Sequence, residues 1–144
     1  GPLIGKGEYP AYLACNLFCK HESMYTAPEG SWMDSRFPKI TQDGKDGDEE
    51  TGYILNMRDS ATAGFKYFDC HGIKRVSIKV RGYCMGAFEI KTSWNGEPLG
   101  SIPIGFSNIW EEYTADIAIP DGIHALYFTY KGEGSAALKS FTLI

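Results

Sequence analysis

The chain has 144 residues, of which 43% are hydrophobic and 22% charged, with a formal net charge of −4 at pH 7. That length suits one domain with a core of its own. The acidic balance argues against a nucleic-acid partner, which would call for a basic stripe that releases counterions. No apolar run approaches the ~20 residues a membrane-spanning helix needs, so no membrane partner is expected.

In chain order, residues 1–10 are rich in Gly and Pro and are expected to be a linker or tail from an upstream domain, leaving 11–144 as the folded domain. Gly1-Pro2-Leu3-Ile4-Gly5 lacks the basic start and hydrophobic run of a signal peptide. With no initiator Met, this says nothing of a leader on a longer chain. Residues 12–18 read as a first strand. Residues 20–50 hold little periodicity and include Pro28, Gly30, Pro38 and an acidic stretch at 43–50. Lys45 stands where an EF-hand would want an acidic ligand, so that stretch reads as a solvated turn.

From residue 52 onward the pattern sharpens. Residues 52–55 form a short strand, 56–61 a polar loop, and 64–68 the start of another strand. Further strands are expected near 73–81, 86–94, 99–104, 110–119, 123–131 and 136–143. Val76, Ile78 and Val80 alternate with Ser77, Lys79 and Arg81, the period-two signature of a half-buried strand. Asn95-Gly96 suits a hairpin turn, and Pro120-Asp121-Gly122 marks another break. Short strands punctuated this regularly predict an all-β chain, an antiparallel β-sandwich of jelly-roll type. Such a fold carries its function in loops or on one sheet face.

Tests for chemistry return little. His21, His71 and His124 are isolated, and no His-x-His pair suggests a metal centre. Neither a G-x-S-x-G elbow nor a phosphate-cradling glycine loop followed by a helix is present. A carboxylate pair for glycoside hydrolysis could be drawn from 18 acidic residues, with nothing to select one. Cys15, Cys19, Cys70 and Cys84 allow three disulfide pairings, and C-x3-C with two scattered partners matches no zinc pattern well. Reduced structural thiols are the expected state, with Cys70 and Cys84 packing as small hydrophobes. The reading is a binding module rather than an enzyme.

Aromatic residues make up 14% of the chain. Most fit sandwich strands, which favour them. Tyr53 and Trp110 stand apart because each lies near the start of a strand, after Gly52 and after the polar residues Ser107 and Asn108. Two rings meeting at the sandwich edge could clamp the apolar face of a pyranose. Periodicity alone would equally make them core residues.

The stretch 52–143 resembles carbohydrate-binding module family 6. The resemblance rests on Gly52-Tyr53-Ile54, the strand and leucine-glycine turn at 88–100, Trp110-Glu111-Glu112-Tyr113, the segment 120–128 beginning Pro120-Asp121-Gly122-Ile123-His124, and the glycine-flanked last strand at 132–143. The chain also resembles the C-terminal module of glycoside hydrolase family 43 enzymes of the xylosidase and arabinofuranosidase type. The resemblance implies a jelly roll with Tyr53 and Trp110 as the sugar clamp. It further implies a non-catalytic module that holds a tethered hydrolase on xylan-type or related β-glycan, in an extracellular or cell-associated bacterial setting.

Two positions depart from the family pattern. Ala137 stands where the family has a sugar-binding Asn, and Lys139 where it has an Asp serving a structural calcium. The family's first-strand glutamates also have no match in residues 12–16. Sugar binding therefore needs other polar groups, with Asn56, Arg58, Asp59, Asn108 and Ser135 as candidates. No cofactor is expected, and calcium is doubtful. A structural appendage that packs on its catalytic partner without binding sugar is the first alternative, and an enzyme domain in its own right is the outsider.

Overall fold

The computed structural model describes residues 1–19, 37–42 and 52–144. Its strands are β1 (Leu3–Ile4), β2 (Gly7–Pro10), β3 (Asn16–Phe18), β4 (Lys39–Gln42), β5 (Gly52–Met57), β6 (Thr62–Cys70), β7 (Ile73–Gly82), β8 (Cys84–Lys91), β9 (Gly100–Ile104), β10 (Ser107–Ile119), β11 (Gly122–Gly134) and β12 (Ala136–Leu143), with one 3₁₀ turn at Ala11–Leu13. They form two sheets. The first runs β1-β6-β11-β8-β9 with β3 also on β6; the second runs β10-β7-β12-β5-β4 with β2 also on β12. The eight strands from β5 onward mostly cross between sheets at each connection, giving a β-sandwich with the interleaved order of a jelly roll.

The core follows from the alternation. Val76, Ile78 and Val80 point inward from β7, and Leu138, Phe141 and Leu143 from β12, all essentially inaccessible to water. Phe65 and Phe128 meet them from the first sheet. Phe141 is the hub, with ring centroids 4.6 Å from Phe128, 4.8 Å from Phe65 and 5.8 Å from both Phe68 and Tyr9. Tilted and edge-to-face pairs of this kind match ring edges to ring faces. Much of the aromatic content among the described residues is thus core packing. One buried polar pair joins neighbouring strands, Thr62 and Thr129 sharing a hydroxyl hydrogen bond of 2.8 Å.

Three expectations need correction. Residues 1–10 are not a loose tail: β1 pairs parallel with β6, and β2 pairs antiparallel with β12. Gly5 permits this close approach, since a Cβ there would sit 2.5 Å from the Asp69 carbonyl oxygen. The strand expected at 12–18 is shortened by the 3₁₀ turn and begins only at Asn16. Asn95-Gly96 does not make a two-residue hairpin. It lies in a wider connection where the Gly96 N–H donates to the Ser93 carbonyl, and neither residue adopts positive φ. The acidic stretch 43–50 and His21 lie outside the described residues.

Candidate functional site

The outward face of the second sheet collects residues from four adjacent strands. Trp110 comes from β10, Arg81 from β7, Ala137 and Lys139 from β12, and Tyr53 from β5. Arg81 is directly opposite Ala137 in the ladder, while Leu138 next to Ala137 points into the core. Strands ~4.8 Å apart would leave the backbones of Trp110 and Tyr53 about 14 Å from each other. The two long side chains close that gap by leaning together, and the short Ala137 between them is buried.

The rings meet edge to face, with centroids 5.2 Å apart and planes at 72°. A sugar held between two rings needs them about 7–8 Å apart, twice the van der Waals contact distance. The fold brings the two predicted aromatics together, but as a touching pair rather than as opposed walls of an open cleft. Tyr53 is only 9% exposed, and Trp110 is half-buried. The Arg81 guanidinium lies 4.3 Å from the Trp110 ring centroid and 5.2 Å from that of Tyr53. It also donates a hydrogen bond of 3.4 Å to the Tyr53 hydroxyl. Lys139 Nζ stands 5.5 Å from the Trp110 ring. Cations over an indole face are held by its quadrupole.

Beside this cluster the same face sinks into a groove of about 400 Å³ lined by Glu8, Pro10, Tyr12, Lys79, Lys139 and Ser140. Glu8 accepts a hydrogen bond of 3.0 Å from Ser140 and lies 3.1 Å from Lys79 Nζ. The hydrogen bond from Lys79 holds the Glu8 carboxyl below its ordinary pKa, against a smaller opposing effect of burial.

No family model matches the chain. In sequence it is 76% identical over 142 residues to part of a xylosidase/arabinosidase of Thermoclostridium stercorarium, covering 99% of the chain and 30% of that protein. The chain thus spans less than a third of the length of this curated relative. In structure it is similar to the module CsCBM6-3 of Clostridium stercorarium in complex with cellobiose, with a TM-score of 0.75, 15% identity, and coverage of 99% of this chain and 96% of the other. A family 6 carbohydrate-binding module of Clostridium cellulolyticum in complex with xylose aligns with a TM-score of 0.75 at 14% identity, covering 98% of each chain. The chain carries the fold of family 6 carbohydrate-binding modules. The same fold aligns with 28% of a glycoside hydrolase family 43 arabinoxylan arabinofuranohydrolase of Bacillus subtilis, at a TM-score of 0.74, 12% identity and 99% of this chain.

Within this family 6 fold the other predicted cleft residues divide. Asp59 accepts the Gly132 N–H at 3.0 Å, tying the β5–β6 turn to β11. Asn56, at φ 65°, donates to the Phe37 carbonyl at 3.3 Å. Both are committed to backbone. Ser135 gives its N–H to the Tyr83 carbonyl, while Arg58 and Asn108 are exposed. None of these five hydrogen-bonds to or stacks on Tyr53 or Trp110. Residues that do surround the ring pair, Arg81 and Lys139, were legible only as outward-facing strand positions or as a departure from the family pattern.

Lys139 places an ammonium on this face, and the nearby carboxylate, Glu8, is paired with Lys79. Elsewhere, Cys70 and Cys84 are buried thiols, each donating weakly to a backbone carbonyl, and burial pushes both above the ordinary thiol pKa.

Proposed function

We propose that the chain is a non-catalytic carbohydrate-binding module that holds an attached glycoside hydrolase on xylan-type or related β-glycan. The observation that carries this reading is an aromatic pair, Tyr53 and Trp110, on a family 6 fold. The relative's name, xylosidase/arabinosidase, and the xylose complex of the Clostridium cellulolyticum module favour a xylan-type ligand. Tethering raises the effective substrate concentration seen by the attached enzyme. Covering one sugar on the order of 150 Å² of apolar surface contributes roughly 4 kcal/mol. Association costs offset part of that, so a dissociation constant of about 1 mM needs further polar contacts to the sugar hydroxyls. Calcium has no part in this reading, and a chelator is expected to leave the melting temperature unchanged.

One observation favours the alternative of a structural appendage: the two rings touch, and Arg81 already covers Trp110. Calorimetric titration with xylo- and cello-oligosaccharides separates the two. Saturable heat at millimolar sugar supports the module. No heat up to tens of millimolar, together with tight association with a separately expressed catalytic domain, would establish the appendage instead.

A further inference from the structure

Among the described residues the aromatic side chains most open to water are Tyr83 and Phe106, 76% and 57% exposed. Their ring centroids lie 4.8 Å apart with planes at 52°. They border a shallow hollow of about 350 Å³, also lined by Cys84, Met85, Glu133 and Gly134. Met85 is exposed too and stands opposite Glu133 in the β8–β11 ladder. The turns β7–β8, β9–β10 and β11–β12 meet here. The backbone under the rings is fixed: the Ser135 N–H donates to the Tyr83 carbonyl at 3.1 Å. The Gly105 carbonyl, beside Phe106, accepts from the Tyr113 hydroxyl at 3.3 Å and weakly from the Cys84 thiol at 3.8 Å. Gly134, at φ 75°, lets the last turn close on Tyr83, whose carbonyl oxygen a Cβ there would strike. We propose that Tyr83 and Phe106 form a second, one-sided stacking platform for the sugars of a β-glycan chain that runs on past Trp110. The inference rests on the carbohydrate-binding reading above.

Strand register supplies the continuity. Arg81, which lies over Trp110, is two residues before Tyr83, and Ser107, paired with Gly82, directly follows Phe106. The ladder then passes from Ser107 opposite Gly82 to Glu111 opposite Val80, so residues 108–110 stand against Arg81 alone. The two aromatic pairs therefore follow one another along the β7–β10 ribbon, with Tyr83 about 7 Å of strand beyond Arg81. They differ in what they offer. Tyr53 is nearly covered, whereas Tyr83 and Phe106 touch on one side and leave their outer faces free. Such a face suits the C–H side of a pyranose, and the exposed Glu133 carboxylate at the rim accepts from its hydroxyls, the stronger, charge-assisted kind of hydrogen bond. A fixed backbone lowers the ordering cost of binding. Three exposed apolar side chains fall far short of the roughly 20–30 residues a side of a stable protein interface, which favours a glycan over a second copy of the chain.

The test is calorimetric titration of the wild type, Tyr83→Ala and Phe106→Ala with xylo- and cello-oligosaccharides of two and six sugars. In the wild type the six-sugar ligand is expected to bind about tenfold more tightly than the two-sugar one, the factor that covering about 60 Å² of further ring surface supplies. Each substitution should remove most of that gain and leave the two-sugar affinity unchanged. Because both rings are exposed, the melting temperature should stay within a few degrees. Tyr83→Leu and Phe106→Leu, which keep apolar bulk without a flat ring, should lose the gain as well. Equal affinity for short and long ligands in the wild type, or a gain that survives in the folded variants, would overturn the platform and leave the module reading intact. So would sedimentation showing a dimer that Tyr83→Ala abolishes while its affinity for the six-sugar ligand stays at the wild-type value. No binding of any sugar would overturn both.

Discussion

The two faces of the second sheet are built by opposite means. Its inner face is Val76, Ile78, Val80, Leu138, Phe141 and Leu143, a run of apolar positions repeated along each strand. Its outer face gathers Trp110, Arg81, Ala137, Lys139 and Tyr53, residues up to 86 positions apart in sequence (139 − 53) that meet only through strand register. The inner face needs each residue to be apolar and of the right size. The outer face needs particular residues in particular ladders. Stability is therefore concentrated on one side and the proposed recognition on the other, in strands only one side chain thick.

The largest expected effect lies inside. Phe141→Ala empties the hub of the aromatic cluster and should cost about 3–5 kcal/mol in a urea melt. Trp110→Ala should cost less, roughly 1–2 kcal/mol, because it loses one edge-to-face pair and one cation contact on a half-exposed ring. Were Trp110→Ala the more damaging of the two, the division between a stabilising inner face and a recognising outer one would fail.

A smaller effect sharpens the outer face. Glu8 has a lowered pKa because of Lys79, so its contribution is present above the ordinary value of 4.5 and is lost as pH falls through the lowered native value. Glu8→Gln should destabilise by less than about 1 kcal/mol at neutral pH, since both partners are substantially exposed. The difference from wild type should fade in acid and in high salt. A difference that grows in acid would mean that Glu8 is held by something other than Lys79. The smallest effect is chemical. Buried, with thiols pushed above the usual range, Cys70 and Cys84 should stay unreactive toward a thiol reagent until the protein unfolds.

Strands from β5 to β12 were legible in the sequence because period-two alternation and turn residues are local signals. β1 and β2 were not, because Gly5, Gly7 and Pro10 read as linker. What makes them strands is pairing with β6 and β12, 65 and at least 130 residues away respectively (68 − 3 and 140 − 10). The site divides in the same way. Tyr53 and Trp110 could be proposed from motif resemblance, and the structure puts their rings in contact. Their edge-to-face closure and the Arg81 cap could not be read, since alternation gave only the face on which Arg81 lies. Asn56 and Asp59 were drawn into the site by polarity alone, whereas their side chains bond the backbone of neighbouring segments.

The central claim is that the outer face around Trp110 holds glycan. Affinity electrophoresis of wild type and Trp110→Ala in gels containing soluble xylan, alongside melts of the same samples, tests it most directly. The account predicts that xylan retards the wild type and that Trp110→Ala migrates as it does without polysaccharide while remaining folded. Equal retardation of a folded Trp110→Ala protein would contradict it.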